Sequence, residues 1–203
     1  MKLEWGAKEG RRGVLILYID GEEWKEIHTA VFGRQPALNT EYESQSDLEE
    51  YFEKAEYRAA TLFVLKRLSI KAYLSSELQN KLLEHDVSEA TAERVIHECR
   101  RLGYLNDDDW LNGFVQRQLS RKLGPMAILM KLRAKGISQE KAEELVGMLD
   151  NTDGRKERIT QLLTTRYRNR DLSDFKSREK VIAALIRKGF SFTDVKEAMR
   201  ALS

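Results

Sequence analysis

The sequence is poor in the residue types that mark covalent cross-links, metal centres and membrane segments. Its 203 residues include one Cys, three His and two Pro. A single Cys excludes an intrachain disulfide framework, and His28, His85 and His97 do not combine with Cys99 at a metal-ligand spacing. We recognise neither a signal peptide nor an apolar run of membrane length, so we expect a cytoplasmic protein with no membrane partner.

Catalytic motifs are missing as well. The chain has no Gly-rich phosphate loop of the Walker type and no GxSxG, HExxH or CxxC motif. Its most enzyme-like feature is the run Asp107 to Asp109, because adjacent carboxylates can hold Mg²⁺. These residues fall where a helix is expected to begin, however, and acidic side chains there compensate free N–H groups and the helix dipole. We therefore favour a capping role and expect no enzyme activity, cofactor or metal.

The charge is distributed unevenly along the chain. The formal net charge is +2. Residues 1–56 hold 7 Lys/Arg and 13 Asp/Glu, a net charge of −6, whereas residues 57–203 hold 28 and 20, a net charge of +8. From Trp110 to Gln139 there is no acidic residue. Such a segment suits a phosphate backbone or an acidic protein groove, although a solvated face neutralised by neighbouring helices stays an equal alternative.

One stretch of sequence occurs three times. Residues 130–149 read "MKLRAKGISQEKAEELVGML", and residues 184–202 read "ALIRKGFSFTDVKEAMRAL" at a constant offset of 53. Residues 81–99, "KLLEHDVSEATAERVIHEC", are a third copy at an offset of 50. A unit that recurs at about 50 residues is typical of a helical repeat array.

Each copy predicts a tight corner between two helices. Gly, and less readily Asp, adopts the left-handed conformation that ends a helix, and Ser two residues later is a good N-cap for the next helix. The corner pairs are Asp86 with Ser88, Gly136 with Ser138 and Gly189 with Ser191. We expect the preceding helices of the second and third copies to end at Lys135 and Lys188.

Apolar residues after each corner recur with helical spacing and predict one buried face per copy. These faces are Ala92, Val95, Ile96 and Cys99, then Ala142, Leu145, Val146 and Leu149, then Val195, Ala198, Met199 and Leu202. In the middle unit we also expect Trp110, Phe114 and Val115 to be buried, and a helix to begin at Gly124–Pro125, because Pro suits the first helical position.

The first part of the chain is not helical in pattern. The runs Val14–Ile19 and Trp24–Phe32, separated by Asp20–Gly21, predict a β-hairpin within residues 1–37. A lone hairpin is marginally stable, so it should lean on a helix, another strand or a partner. Residues 38–56 are interpreted as a connector and a lead-in helix, which Asp47 is expected to cap.

The predicted fold is therefore mainly all-α: tandem three-helix repeats, elongated and curved, preceded by a small N-terminal β-hairpin. The three repeats are placed at residues 57–106, 107–153 and 154–203. Within 57–68 and its lead-in, the pattern leaves open whether one helix or two are present.

Two segments carry the resemblance to a known family. They are "GYLNDDDWLNGFVQRQLSRKLGPMAILMKLRAKGIS" at 103–138 and "RKGFSFTDVKEAM" at 187–199. They resemble the RecX regulatory proteins of bacteria, over residues from about 57 to the C-terminus. The chain departs from that pattern at Met126 and Ala127, where a basic residue often follows Gly-Pro, and at Asp109, where Arg is frequent.

The resemblance implies a regulator that lies in the groove of the RecA recombinase filament. It would inhibit the ATPase, strand exchange and filament growth of RecA in DNA recombination, DNA repair and the SOS response. We expect a monomer, and the alternative is a helical repeat protein that binds DNA directly and acts by competition. The residues predicted to contact the RecA filament or DNA phosphate are Arg117, Arg121, Lys122, Lys131, Arg133, Lys135, Arg166 and Arg168.

Overall fold

A computed structural model describes residues 1–202 and confirms a mainly helical protein with a small sheet at its N-terminus. Those residues form three strands and ten helices. They divide into two compact units, Met1–Trp110 and Leu111–Ser203, and the boundary falls within a helix.

The N-terminal sheet has three antiparallel strands in the order β1-β2-β3. The strands are β1 Leu3–Ala7, β2 Val14–Ile19 and β3 Glu22–His28. The predicted hairpin is confirmed as β2 and β3, and β1 is an additional strand that the sequence did not indicate to us. The prediction that the second strand reaches Phe32 is wrong, because Thr29–Phe32 forms the short helix α1. The Nδ1 atom of His28 accepts a hydrogen bond from the amide of Ala30 at 3.0 Å and so ends the strand as a helix cap.

A single long helix, α2 Gln45–Leu68, follows the connector. Its N-cap is Ser44, whose side chain accepts from the Asp47 amide at 3.2 Å, so the prediction of Asp47 as the cap is wrong. The cap falls on Ser44 because Asp47 already has helical geometry and lies in the first turn, where its charge favours the helix dipole.

Helix α2 supports two apolar clusters. Near its N-terminus, Leu48 and Phe52 pack against the sheet residues Leu3, Leu17 and Ile27. Further along, Ala60, Phe63 and Val64 belong to the core of the first three-helix repeat. The hairpin therefore does lean on another strand and on a helix, as its marginal intrinsic stability requires.

The first unit continues with α3 Ser75–Leu83 and α4 Glu89–Arg101. The carboxylate of Glu56 on α2 is 2% exposed and holds the start of α4. It accepts hydrogen bonds from the Ser88 amide at 3.2 Å, from the Ser88 hydroxyl, and from the Thr91 hydroxyl at 2.6 Å. A buried carboxylate is tolerated here because these donors, from the first turn of α4, satisfy it.

Six further helices follow. They are α5 Asp107–Ser120, α6 Pro125–Arg133, α7 Gln139–Leu149, α8 Thr152–Thr165, α9 Phe175–Arg187 and α10 Phe192–Arg200. Pro125 occupies the first turn of α6, as predicted. The helices before the corners end at Arg133 and Arg187, one or two residues earlier than expected. The repeat boundaries placed at residues 57, 107 and 154 stay predictions.

The three predicted corners are confirmed. The left-handed residues have φ values of 59° at Asp86, 81° at Gly136 and 93° at Gly189. At each corner the Ser side chain accepts a hydrogen bond from the amide three residues later and caps the next helix; the capping residues are Ser88, Ser138 and Ser191. The corners are thus made by local interactions of the same kind in every copy.

The predicted buried faces are only partly confirmed. All four residues of the α4 face are buried, as are Ala142, Val146, Val195 and Ala198. Leu202 is 45% exposed, so its prediction is wrong. It lies beyond the end of α10, which is Arg200.

The prediction that the start of α5 buries Trp110 and Phe114 is also wrong, because both side chains are only half-buried. Their neighbours Leu111 and Val115 are buried in their place, at 1% and 0% exposure. The buried stripe of α5 is therefore rotated by one residue, and the Trp110 indole N–H donates to the Ala72 carbonyl at 3.2 Å.

A close backbone contact joins the second and third repeats. The Gly124 amide donates to the Lys188 carbonyl at 2.9 Å, and the Met126 amide donates to the Gly189 carbonyl at 3.1 Å. A Cβ atom at Gly124 would lie 2.3 Å from the carbonyl carbon of Gly189. The corner of the third repeat thus caps the free N–H groups at the start of α6.

Candidate partner-binding surface

The acid-free segment places two exposed arginines at the end of α5. Arg117 lies in the last turn of α5, and Arg121 is the first residue after it, with its amide donating to the Arg117 carbonyl at 3.3 Å. The guanidinium of Arg117 extends over Gly113, where an added Cβ would approach its Nη1 atom to 3.1 Å. Gly113 therefore leaves room for the Arg117 side chain to lie along the helix.

The last turn of α6 carries two further exposed cations, Lys131 and Arg133. Cations near a helix C-terminus interact favourably with the exposed carbonyls, so this position also suits the helix. Met130, beside them, is 71% exposed, and Met126, one turn earlier, is 57% exposed. The outer face of α6 is thus both basic and apolar.

Lys135 connects the two helices. Its Nζ atom lies 5.8 Å from the ring centroid of Phe114 on α5, within the range of a cation–π contact. Phe114 precedes Arg117 by one turn on α5. The structure therefore brings the end of α6 to the side of α5 that bears Arg117. We call the residues Arg117, Arg121, Lys131, Arg133 and Lys135 the basic surface.

Lys122, predicted with this group, has a second role. Its φ of 57° is left-handed, and its amide donates to the Leu119 carbonyl at 2.8 Å, which ends α5. A non-glycine residue in this conformation is uncommon and marks a turn. Lys122 is half-buried and contributes to the turn as well as to the positive charge of the segment.

Four of the five cations of the basic surface lack an ion pair within the described residues. Within residues 1–202, Arg117, Arg121, Lys131 and Arg133 form no ion pair. Neutralisation by direct pairs with neighbouring helices, the alternative left open by the sequence, is thus not seen for these four side chains. Unpaired cations of this kind are available to an anionic partner.

In the third repeat the structure separates two groups of cations. Arg166 and Arg168, predicted as binding residues, are exposed just after α8. The cations of the first turns of α8 are instead paired. Lys156 contacts Glu197 at 2.9 Å, and this hydrogen bond raises the pKa of the Lys156 ammonium.

Arg155 and Arg158 are paired with Asp150, which is buried. Arg158 binds one carboxylate oxygen of Asp150, and the other lies 3.6 Å from Arg155. Arg155 also lies 3.8 Å from Asp194 on α10. These two arginines therefore hold α7, α8 and α10 together. Sequence reasoning missed this role because Asp150 is eight residues from Arg158 and falls in a loop pattern.

The acidic run at the start of α5 is structural. Asp107 accepts hydrogen bonds from the Ser75 amide at 2.7 Å and from Arg100 at 2.9 Å, which joins α5 to α3 and α4. Asn106 caps the helix by accepting from the Asp109 amide at 3.1 Å. Across the described part of the chain, residues 1–202, no group of three or more His, Cys, Asp or Glu is arranged to hold a metal ion.

Two histidines that are distant in sequence meet in the structure. The rings of His28 and His85 have centroids 4.4 Å apart, where β3 meets the corner before α4. Burial lowers the pKa of His85, and the nearby His28 and Arg67 lower it further. No spacing in the sequence indicated this contact.

Among the helices formed by residues 1–202, none has the length and apolar character needed to cross a membrane.

These features define the class of the protein: a chain of three-helix repeats with an exposed basic surface. A model of the RecX third three-helix domain matches residues 155–199. A protein of Streptococcus gordonii named Regulatory protein RecX is 27% identical over 160 residues, which cover 78% of this chain and 61% of that protein. A protein of the same name from Streptococcus pneumoniae is 26% identical over 191 residues, which cover 94% and 73% of the two chains.

Solved structures agree with this likeness. A crystal structure of regulatory protein RecX has a TM-score of 0.64 and 22% identity, and the match covers 97% of this chain and 98% of the other. A crystal structure of RecX from Lactobacillus salivarius has a TM-score of 0.61 and 25% identity, with 74% and 96% covered. The chain is thus similar to RecX regulatory proteins over most of its length, and it shares their fold.

Proposed function

We propose that the chain binds the RecA recombinase filament and inhibits its ATPase, strand exchange and filament growth, as a regulator and not as a catalyst. The observation that carries the proposal is the basic surface along α5 and α6, whose four cations other than Lys135 form no ion pair within the described residues. The relatives of the chain are named regulatory proteins. The groove of a RecA filament on DNA would be lined by protein and nucleic acid, and the DNA phosphates are anionic, so complementary charge favours docking there.

The mechanism we propose is electrostatic docking of the second and third repeats along that groove. The basic surface in the second repeat and Arg166 and Arg168 in the third would contact successive protomers. Binding at two places raises the apparent affinity, since the second contact forms within an existing complex. A chain that bridges protomers also restrains the movement between them that ATP turnover requires.

The test is the ATPase of RecA on single-stranded DNA, titrated with this protein at substoichiometric ratios. We expect inhibition by the natural chain. The double variant Lys131→Glu/Arg133→Glu should weaken inhibition by at least about tenfold, because two attractive contacts become repulsive.

The matched control is Lys176→Glu/Lys180→Glu, which makes the same change of charge at exposed positions of α9. It should inhibit like the natural chain. If both variants inhibit RecA as strongly as the natural chain and their circular dichroism is unchanged, the basic surface is not part of the interface. Absence of any effect of the natural chain on RecA would contradict the proposed function itself.

Direct binding to DNA is a second candidate function. It is favoured by one observation, the absence of an acidic residue from Trp110 to Gln139, since phosphate contacts need local excess of positive charge. In this case the effect on RecA arises by competition for DNA. Affinity for DNA in the absence of RecA, falling steeply with salt, distinguishes this candidate from docking on RecA.

A further inference from the structure

The third repeat contains a cleft that combines exposed aromatic rings with cations. It has a volume of about 380 Å³ and lies between α9 and α10. Phe175 and Phe192, the first residues of these two helices, line it and are 64% and 50% exposed. Phenylalanines exposed to this extent are not part of the core, whose aromatic member in this repeat is Phe190, 2% exposed.

Each of these rings is accompanied by a cation. The Arg178 guanidinium lies 5.8 Å from the ring centroid of Phe175, and the Lys196 ammonium lies 5.0 Å from that of Phe192. Arg200 is a third cation of the lining, and Glu179 is its one carboxylate. The cleft therefore has an excess of positive charge beside its two aromatic faces.

The cations of the cleft differ from those at the start of α8. Arg155, Lys156 and Arg158 are held by carboxylates, whereas Arg178, Lys196 and Arg200 form no ion pair within the described residues. The same repeat thus neutralises the cations that hold its helices together and leaves those of the cleft uncompensated.

The floor of the cleft is apolar. Ile182 is 6% exposed and belongs to the core, and the half-buried Met199 lies beside it. A ring that enters between the two phenylalanines would meet apolar atoms below and cations at the rim. This is the chemistry that binds single-stranded nucleic acid, in which bases stack on aromatic side chains while cations follow the phosphates.

We propose that this cleft, defined by Phe175, Phe192, Arg178, Lys196 and Arg200, binds single-stranded nucleic acid by base stacking. A paired duplex keeps its bases stacked on one another and cannot offer them to the rings, so single strands are the favoured form. The cleft is separate from the basic surface, and its binding does not require RecA.

The test is fluorescence anisotropy with a labelled 12-nucleotide oligothymidylate and the full chain, without RecA. The variant Phe175→Leu/Phe192→Leu keeps apolar side chains but removes the aromatic faces. We expect its affinity to fall about tenfold or more, since each stacked base contributes about 1–3 kcal/mol and 1.4 kcal/mol is tenfold. A duplex of the same length should bind more weakly than the single strand.

Two matched controls separate the cleft from general effects. Tyr104→Leu removes an aromatic ring that is 56% exposed in the other unit and should leave binding unchanged. Arg178→Glu/Lys196→Glu should abolish most binding, whereas Lys176→Glu/Lys180→Glu, with the same change of charge on exposed α9 positions outside the cleft, should reduce it far less.

Three results would overturn the proposal. One is unchanged affinity of the leucine variant in a protein whose thermal unfolding is normal. Another is equal loss in the two glutamate variants, which would indicate general charge attraction. The third is binding of an oligoglutamate peptide in the absence of oligonucleotide binding, which would assign the cleft to an acidic protein. None of these results bears on inhibition of RecA, which is measured separately.

Discussion

At the scale of single residues, buried carboxylates hold the helices in register. Glu56 and Asp150 are 2% and 3% exposed, and each accepts from groups on a neighbouring helix. Removal of a carboxylate partner leaves buried donors unpaired, which costs about 1–3 kcal/mol and more for charged groups. These two residues therefore fix positions that apolar packing alone leaves less defined.

The contact of His28 with His85 makes the first unit sensitive to pH. His85 has a pKa lowered from 6.5 by burial, by His28 and by Arg67, while Glu84 opposes the shift. The folded chain binds a proton here less readily than the unfolded chain does. As the pH falls through about 6.5, the unfolded state takes up more protons, and the free energy of unfolding decreases.

We predict that the variant His85→Asn weakens this loss of stability in acid. Urea unfolding at pH 7.5 and pH 5.5 should show a smaller difference in the free energy of unfolding than in the natural chain, because Asn does not titrate. The matched variant His97→Asn removes an exposed imidazole from α4 and should retain the full difference. Identical pH dependence in all three proteins would show that His85 does not contribute.

At the scale of helices and turns, Gly124 determines how closely the second and third repeats approach. An added Cβ at this position meets backbone atoms of Gly189 at 2.3 Å and the Phe190 nitrogen at 2.4 Å. Backbone atoms cannot turn aside as the end of a flexible side chain can. The two amide–carbonyl bonds that cap α6 would therefore be lost or stretched.

We predict that Gly124→Ala lowers the free energy of unfolding by at least about 2 kcal/mol, the range of overpacking in a well-filled site. Gly147→Ala is the control, because a Cβ there meets nothing within 4 Å and the residue lies inside α7. That change should stabilise by about 0.5–1 kcal/mol, the usual cost of Gly in a helix. Urea denaturation measures both, and equal effects would contradict the close contact.

The same contact shows what could be read from the sequence. The corners at Gly136 and Gly189 were predictable, since a left-handed residue and a Ser cap act within a few residues of chain. The pairing of Gly124 with Gly189 was not, because it joins segments 65 residues apart and leaves no local pattern. Strand β1 was missed for a related reason: its short run gains stability from β2 and α2.

The candidate site was likewise predictable from the sequence only in part. Periodicity placed Arg117 and Arg121 on one helical face, and the structure has both exposed, Arg117 on α5 and Arg121 directly after its end. It could not show which cations are paired. Arg158 looked as available as Arg166 until the fold brought Asp150 beside it. The aromatic cleft of α9 and α10 was missed because Phe175 and Phe192 belong to different helices and only the corner at Gly189 brings those helices together.

At the scale of the whole molecule, two surfaces with different chemistry lie in the unit Leu111–Ser203. The basic surface offers charge, whereas the cleft offers stacking with fewer charges. Salt separates these contributions, because each phosphate contact releases counterions and steepens the fall of affinity with salt, by about 0.7 in the logarithmic slope for a single strand. Stacking on an aromatic ring has no such dependence.

We predict that Phe175→Leu/Phe192→Leu lowers the affinity for oligothymidylate but leaves its salt dependence unchanged. The quantity measured is the slope of log affinity against log salt concentration, without RecA, between about 50 and 200 mM salt, a range that reports phosphate contacts. Arg178→Glu/Lys196→Glu should lower the slope by about 1.4, the loss of two phosphate contacts. Arg117→Glu/Arg121→Glu should leave both affinity and slope unchanged while it weakens inhibition of the RecA ATPase, because the basic surface is proposed to meet the filament. If this last variant instead lowers the slope, the basic surface binds DNA directly, and competition for DNA becomes the better account of regulation.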